Sequence, residues 1–280
     1  MNYPDITVGL GQMHVVWGDV TGNLERAAAM VKQAAQVGCT VLVLPECLDY
    51  GYAYPEVKDL AQPIGGQVYQ QLAEMSRAHA LYVIAGITER CGEHIYSAAA
   101  LIDPQGELQL LHRKINELTP AHHIYSIGDR MGVVDTPFGT VGLTIGSDNF
   151  TSSLALGHAL CRMGAHYIFS PSTWMVEASH DQQQNPFGAS WRQSHRRLAY
   201  LYGITMASTS CVGSITAGPW KGRKAIGSSL AFAPGGEAVA QGPFGVDAVQ
   251  LITFRAKAMA RAVKGSAYAP YLKAKGYDGP

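Results

Sequence analysis

The chain has 280 residues, 47% of them apolar and 15% charged, and its 21 basic and 21 acidic side chains leave no formal net charge. At roughly 100–200 residues per domain this is one large domain or two small ones, long enough to bury a substantial core. Balanced charge removes the electrostatic case for nucleic acid or an acidic membrane surface, and no apolar run approaches the roughly 20 residues of a membrane helix.

The start, MNYPDITVGLGQMHVVWGD, lacks the basic and then apolar regions of a signal peptide. Cys39, Cys47, Cys91, Cys161 and Cys211 are odd in number, widely spaced and free of CxxC pairs. They predict neither a disulfide framework nor a structural zinc site, and a reduced, cytoplasmic setting. No metal or other cofactor is expected.

Ile6–Val15 alternates and is rich in β-branched residues, as a half-buried strand should be. A helix follows, with Leu24, Ala27, Ala28, Val31, Ala34 and Ala35 on one face and Gly38 as its stop. CTVLVLPE is apolar throughout, the pattern of a strand covered on both faces. A helix over about 67–80 and the strands LYVIAGITER, YSAAALID and LQLLHRK come next. The pattern restarts with GVVDTPFGTVGLTIG, two strands joined at a Pro-Phe-Gly turn, then a helix over about 150–163 and the strand HYIFSPS. A last helix, about 186–203, precedes the strands GITMASTS, GSSLAFAP and DAVQLITF. Strands interleaved with helices predict sheets covered by helices. No linker or repeat divides them, so residues 1–254 read as one α/β domain of two similar sheets packed together. The tail 255–280 has six Lys/Arg and one acid. It reads as a surface helix plus an extended end, or as an arm for a partner subunit.

Three polar features stand where buried strands end. Glu46 follows four apolar residues, and desolvation there raises a carboxylate toward general-base use. Lys114 could steady an oxyanion. The turn TIGSDNF offers the free N–H groups of a helix start. Taken singly, Glu46 is equally a structural carboxylate and Lys114 an ordinary surface lysine.

In this order and spacing the set resembles the nitrilase, or carbon–nitrogen hydrolase, superfamily. Strand-Pro-Glu, Arg-Lys-Ile before a loop and Gly-Asp, and a strand ending before DNF carry the likeness, with SPSTW, RRLAYLYGITMASTS and GSSLAFAPGGEAVAQG in support. It covers about Ile6 to Phe254. The resemblance implies a four-layer α-β-β-α sandwich, paired into a homodimer or higher oligomer, with the tail as a contact arm. It also implies a Glu, Lys and Cys set acting on an amide, nitrile or carbamoyl carbon. Glu46 and Lys114 match the first two; the cysteine belongs at position 146, where this chain has glycine. The family's further glutamate falls near Ala121, leaving Glu117, His122 or His123 to take up its polar role.

Ser147 is one residue displaced and Cys47 faces the other side of its strand, so neither replaces the thiol well. Gly146 beside Ser147 reads as natural divergence more than a single replacement. Asp148 is expected to orient the turn or cap a helix. Expected pocket walls are Tyr50, Tyr52, the His122–Tyr125 loop, Asn149, Phe150, Ser172, Thr173 and Trp174. The favoured reading is cysteine-independent acid–base chemistry, a cyclisation or a lyase-type reaction, on a small amide-, imine- or nitrile-like molecule. The alternatives are an amidase, nitrilase or N-carbamoyl hydrolase inactivated at position 146, and a non-catalytic binding or scaffold protein.

Overall fold

A computed structural model describes residues 3–257, 263–277 and 279. In chain order the first half is β1 (Ile6–Gln12), α1 (Val20–Gln36), β2 (Val41–Val43), α2 (Val57–Leu60), α3 (Gln67–His79), β3 (Tyr82–Cys91), β4 (His94–Ile102) and β5 (Leu108–Arg113). The second half begins with β6 (Val133–Thr136), β7 (Gly139–Leu143), α4 (Leu154–Arg162), β8 (Tyr167–Ser172), β9 (Met175–Val176), α5 (Ala189–Tyr202) and β10 (Thr205–Ser210). It ends with β11 (Val212–Ser214), β12 (Lys224–Ile226), β13 (Leu230–Ala233), β14 (Glu237–Gln241), β15 (Gln250–Ala256) and α6 (Ala269–Ala274).

Two six-stranded sheets form, ordered β15-β1-β2-β3-β4-β5 and β14-β13-β10-β8-β7-β6, with a small sheet β11-β12-β9 beside them. Alternation decides what lies between them. Val8, Leu10, Val41, Val43, Ile84 and Leu101 of the first sheet pack on Val141, Leu143, Tyr167, Phe169, Ala207 and Ala231 of the second. The opposite face of the first sheet, with Leu42, Val83 and Ala100, meets Leu24, Ala27, Val31 and Leu72 of α1 and α3. Ile168 and Met206 of the second sheet meet Leu160, Leu198 and Leu201 of α4 and α5. The layers are therefore α-β-β-α, the sandwich expected.

Two local expectations change. The apolar run after Cys39 is a strand only over Val41–Val43, because the chain turns at Pro45 and Cys47 takes a left-handed φ of 43°. The turn after β7 does not open a helix; it is a 3₁₀ turn over Gly146–Asn149, and α4 starts only at Leu154. The described part of the tail lies on its own chain. Tyr268 and Leu272 are buried in the α4–α5 cluster, and Tyr277 stacks on His158 at 5.0 Å. Residues 258–262, 278 and 280 of the expected arm lie outside the described residues. Among the described residues, no helix is long and apolar enough to cross a membrane.

Candidate active site

In both sheets the central strands are parallel, β1-β2-β3 in one and β7-β8-β10 in the other. Open α/β sheets present their ligand sites at the carboxyl ends of such strands. Here those ends meet across the sandwich. Glu46 follows β2, Lys114 follows β5, Gly146 follows β7, and Thr173 and Trp174 follow β8.

Lys114 reaches the interior by parity. Leu110 packs on the inter-sheet core, and His112 and Lys114 continue the same face. Its Nζ donates to Glu46 Oε1 at 2.7 Å and lies 3.5 Å from Glu117 Oε1, with all three side chains almost fully buried. Ser97 Oγ donates to the same Glu46 oxygen at 3.1 Å. Tyr52 donates its hydroxyl to Glu117, and its ring stands 4.2 Å from the Lys114 ammonium. Burial pushes Glu46 above the usual carboxylate range, against the pull of Lys114. Burial would lower Lys114, but Glu46 and Glu117 outweigh it and hold the ammonium above the usual lysine range.

Gly146 faces this cluster. Its φ is +42°, and a Cβ placed on it would lie 3.1 Å from Glu46 Oε2 and 3.6 Å from Lys114 Nζ. The Glu46 turn itself depends on a close approach to β3, since a Cβ on Gly86 would fall 2.4 Å from the Glu46 Cα and 2.5 Å from the Pro45 carbonyl. Gly86→Ala is therefore expected to cost about 1–3 kcal/mol of stability and to shift Glu46. Denaturant unfolding checks the first effect, and a midpoint within error of the parent would contradict it.

Asp148 binds the turn to the Lys114 loop. Its Oδ1 accepts from the Asn116 and Ile115 amides at 2.8 and 3.2 Å, and its Oδ2 accepts from the Ile145 amide at 3.0 Å and meets His112 Nε2 at 2.8 Å. Burial would raise its pKa, but His112 and these amides hold it below the ordinary aspartate value. Asp148→Asn turns one acceptor into a donor facing an amide. We expect a loss of about 3–5 kcal/mol, as when a buried pair is broken. An unfolding free energy within about 1 kcal/mol of the parent would refute the clamp.

A cavity of about 400 Å³ opens onto this cluster. Among the expected residues it is lined by Glu46, Tyr52, Lys114, Gly146, Ser147, Phe150, Thr173 and Trp174. Others expected there turn away. The Tyr50 hydroxyl donates to the Leu60 carbonyl, Asn149 Nδ2 donates to Ser170 Oγ at 2.8 Å, and Ser172 is enclosed in β8 with its Oγ 3.4 Å from Ser170 Oγ. Tyr125 is buried behind Tyr52, its hydroxyl accepting from the Ala53 amide. His122 and His123 are exposed, and His122 Nε2 lies 3.0 Å from the Glu117 main-chain oxygen. Of the three residues weighed for the further acid, the structure brings Glu117 to Lys114. Ser147 donates its hydroxyl to the Asn116 carbonyl at 2.5 Å. Cys47 is buried against Ser97 and Tyr125, and burial lifts its thiol well above the ordinary cysteine range. Among the described residues, no group of three His, Cys, Asp or Glu side chains is placed to hold a metal ion.

Sequence reasoning missed Ser97, His112, Phe187, Trp191, Trp220 and Arg223. Ser97 left a trace, as the one polar residue facing inward in the run SAAAL. His112 lies within β5, and Phe187, Trp191, Trp220 and Arg223 sit in loops or at a helix start, where no local period marks a pocket.

A family model described as carbon–nitrogen hydrolase matches residues 7–262. The chain is 33% identical over 143 residues to an omega-amidase of Mus musculus, a stretch covering 48% of this chain and 52% of that protein. It thus spans about half the length of that relative. In structure it is similar to a carbon–nitrogen hydrolase from Helicobacter pylori G27, with TM-score 0.80, 18% identity, and 98% and 94% of the two chains covered. It is also similar to a mutant amidase from Nesterenkonia sp. AN1, with TM-score 0.74, 18% identity, and 96% and 93% covered. That amidase carries the acetamide moiety of fluoroacetamide covalently added at its active-site cysteine. At these identities the two structural likenesses speak for the fold.

Proposed function

The chain belongs to the carbon–nitrogen hydrolase family, and within it we propose an enzyme that uses Glu46 and Lys114 for acid–base chemistry with no nucleophile of its own. Its substrate is a small amide-, imine- or nitrile-like molecule, and Gly146 stands where the family's catalytic cysteine would. One observation carries this reading. Gly146 puts no side chain between the cavity and the cluster: a Cβ there would lie 3.1 Å from Glu46 Oε2 and 3.6 Å from Lys114 Nζ, and the three residues line the same cavity.

The chemistry follows from the division of labour at Glu46. Oε1 is tied to Lys114 and Ser97, while Oε2 faces position 146. An amine or hydroxyl within the substrate gives its proton to Oε2 as it bonds to the amide-like carbon. Negative charge then grows on the atom doubly bonded to that carbon, beside the Lys114 ammonium. In an amide the C–N bond then breaks, and the leaving nitrogen takes the electron pair of that bond and the proton back from Glu46. In an imine or nitrile nothing leaves, and the multiply bonded nitrogen itself takes up the electron pair and the proton. No acyl-enzyme forms on either route. Glu117 keeps Lys114 charged and placed.

The test is conversion without a covalent intermediate. Small amides, imines and nitriles, with and without an internal amine or hydroxyl, are incubated with the unmodified protein and followed by mass spectrometry of products and of intact protein. Product with no protein adduct is expected. An acyl adduct on Ser147 or Cys47 would sink the reading.

A further inference from the structure

Resting on that reading, we propose that the substrate is a planar aromatic or heteroaromatic compound without a carboxylate, its ring held by aromatic walls and its reacting carbon at Gly146. The cavity has two such walls. On one, Trp220 stacks on Tyr52 at 5.2 Å and 25°. On the other, Trp191 packs on Trp174, at 5.0 Å and 23°, and on Phe150, at 5.1 Å and 33°. Phe187 adds an edge, 6.2 Å from Trp174. All six rings line the one cavity that holds Glu46, Lys114 and Gly146.

Rings so arrayed favour another ring over a saturated group of equal size, because offset and edge contacts add quadrupole attraction to buried area. Packing of each wall ring on its neighbour fixes the faces in advance, so little is lost in ordering them. Charge narrows the class further. Lys114 is held by Glu46 and Glu117, and the rim cation Arg223 is paired with Glu177. A ligand carboxylate beside Gly146 would face the buried carboxylates of the floor, which already match the charge of Lys114.

Three of the four tryptophans, Trp174, Trp191 and Trp220, line the cavity, while Trp17 lies in the core under α1. Tryptophan emission therefore reads binding without turnover. The unmodified protein is titrated with benzamide, its saturated counterpart cyclohexanecarboxamide, and benzoate. Benzamide is expected to change the emission saturably, with a Kd about tenfold below that of cyclohexanecarboxamide, and benzoate to bind more weakly than benzamide. Trp191→Leu should erase the ring preference and Trp191→Phe keep most of it. Equal or tighter binding of cyclohexanecarboxamide, tighter binding of benzoate than benzamide, or no saturable change with benzamide would overturn the proposal. Absence of turnover on every amide, imine and nitrile that carries an internal amine or hydroxyl overturns the acid–base chemistry instead, and leaves the ring preference to be decided by these Kd values.

Discussion

Glu46→Gln is expected to lower kcat/KM by about 10²–10⁴-fold, the range for loss of a placed general base, while leaving the fold intact. The substitution is nearly isosteric, so Ser97 and Lys114 keep a partner at Oε1, and only the proton acceptor is lost. The pH profile separates this role from a structural one. Because burial raises Glu46, its ionised form, and with it kcat/KM, should grow as pH rises through a midpoint above the ordinary carboxylate value. In Glu46→Gln that limb should vanish. Lys114→Ala is expected to be equally damaging to turnover, and it also strands two buried carboxylates, at a cost of about 3–5 kcal/mol in stability. A Glu46→Gln protein with unchanged kcat/KM would end the acid–base reading. A cellular role that survives both substitutions would favour a scaffold.

Gly146→Ala is expected to lower turnover by about 10²-fold or more, since the added methyl takes the space the reacting atom needs and small displacements there are costly. Two effects combine. The new Cβ stands 3.1 Å from Glu46 Oε2, and the φ of +42° is one that an L residue adopts only with strain, about 1–2 kcal/mol. Stability measured by denaturant gives the strain by itself, so the loss of rate beyond it reports the blocked space. If Gly146→Ala retained turnover within about threefold, the substrate could not be using that space. Gly146→Cys distinguishes the rival history. Ammonia release by this variant from amides, nitriles or N-carbamoyl amino acids would mark a hydrolase disabled at one position. Loss of the parent reaction without any hydrolysis supports a site adapted to glycine.

Much of this site is legible along the chain, because a buried strand announces itself by its apolar residues and a polar residue at its end then stands out. Glu46 after Val41–Leu44, Lys114 after Leu108–Leu111 and Gly146 after Val141–Ile145 are all visible in this way, and so is the pairing of two α/β halves. That Lys114 shares the inward face of Leu110 and His112 is not read from the sequence, where taken singly it is an ordinary surface lysine. Local patterning therefore accounts for two sheets covered by helices and for three strand ends with chemistry on them.

What meets at those ends depends on contacts between segments far apart in the chain. Glu46 lies 68 residues from Lys114 and 127 from Thr173, and no local pattern reports distances across the gap between two sheets. So Glu117, not His122 or His123, reaches the ammonium, because the loop after Lys114 folds inward before the histidines emerge. Tyr50, Asn149 and Ser172 are neighbours of the site in sequence, yet each points away, since one step along a strand or turn reverses a side chain. The Asp148–His112 clamp and the tryptophan walls come from segments whose own patterns show only a turn, a strand, a helix start and a loop. Burial is written locally in the order of apolar and polar residues. Convergence depends on how two independently patterned sheets pack, and that is settled only when the whole chain folds.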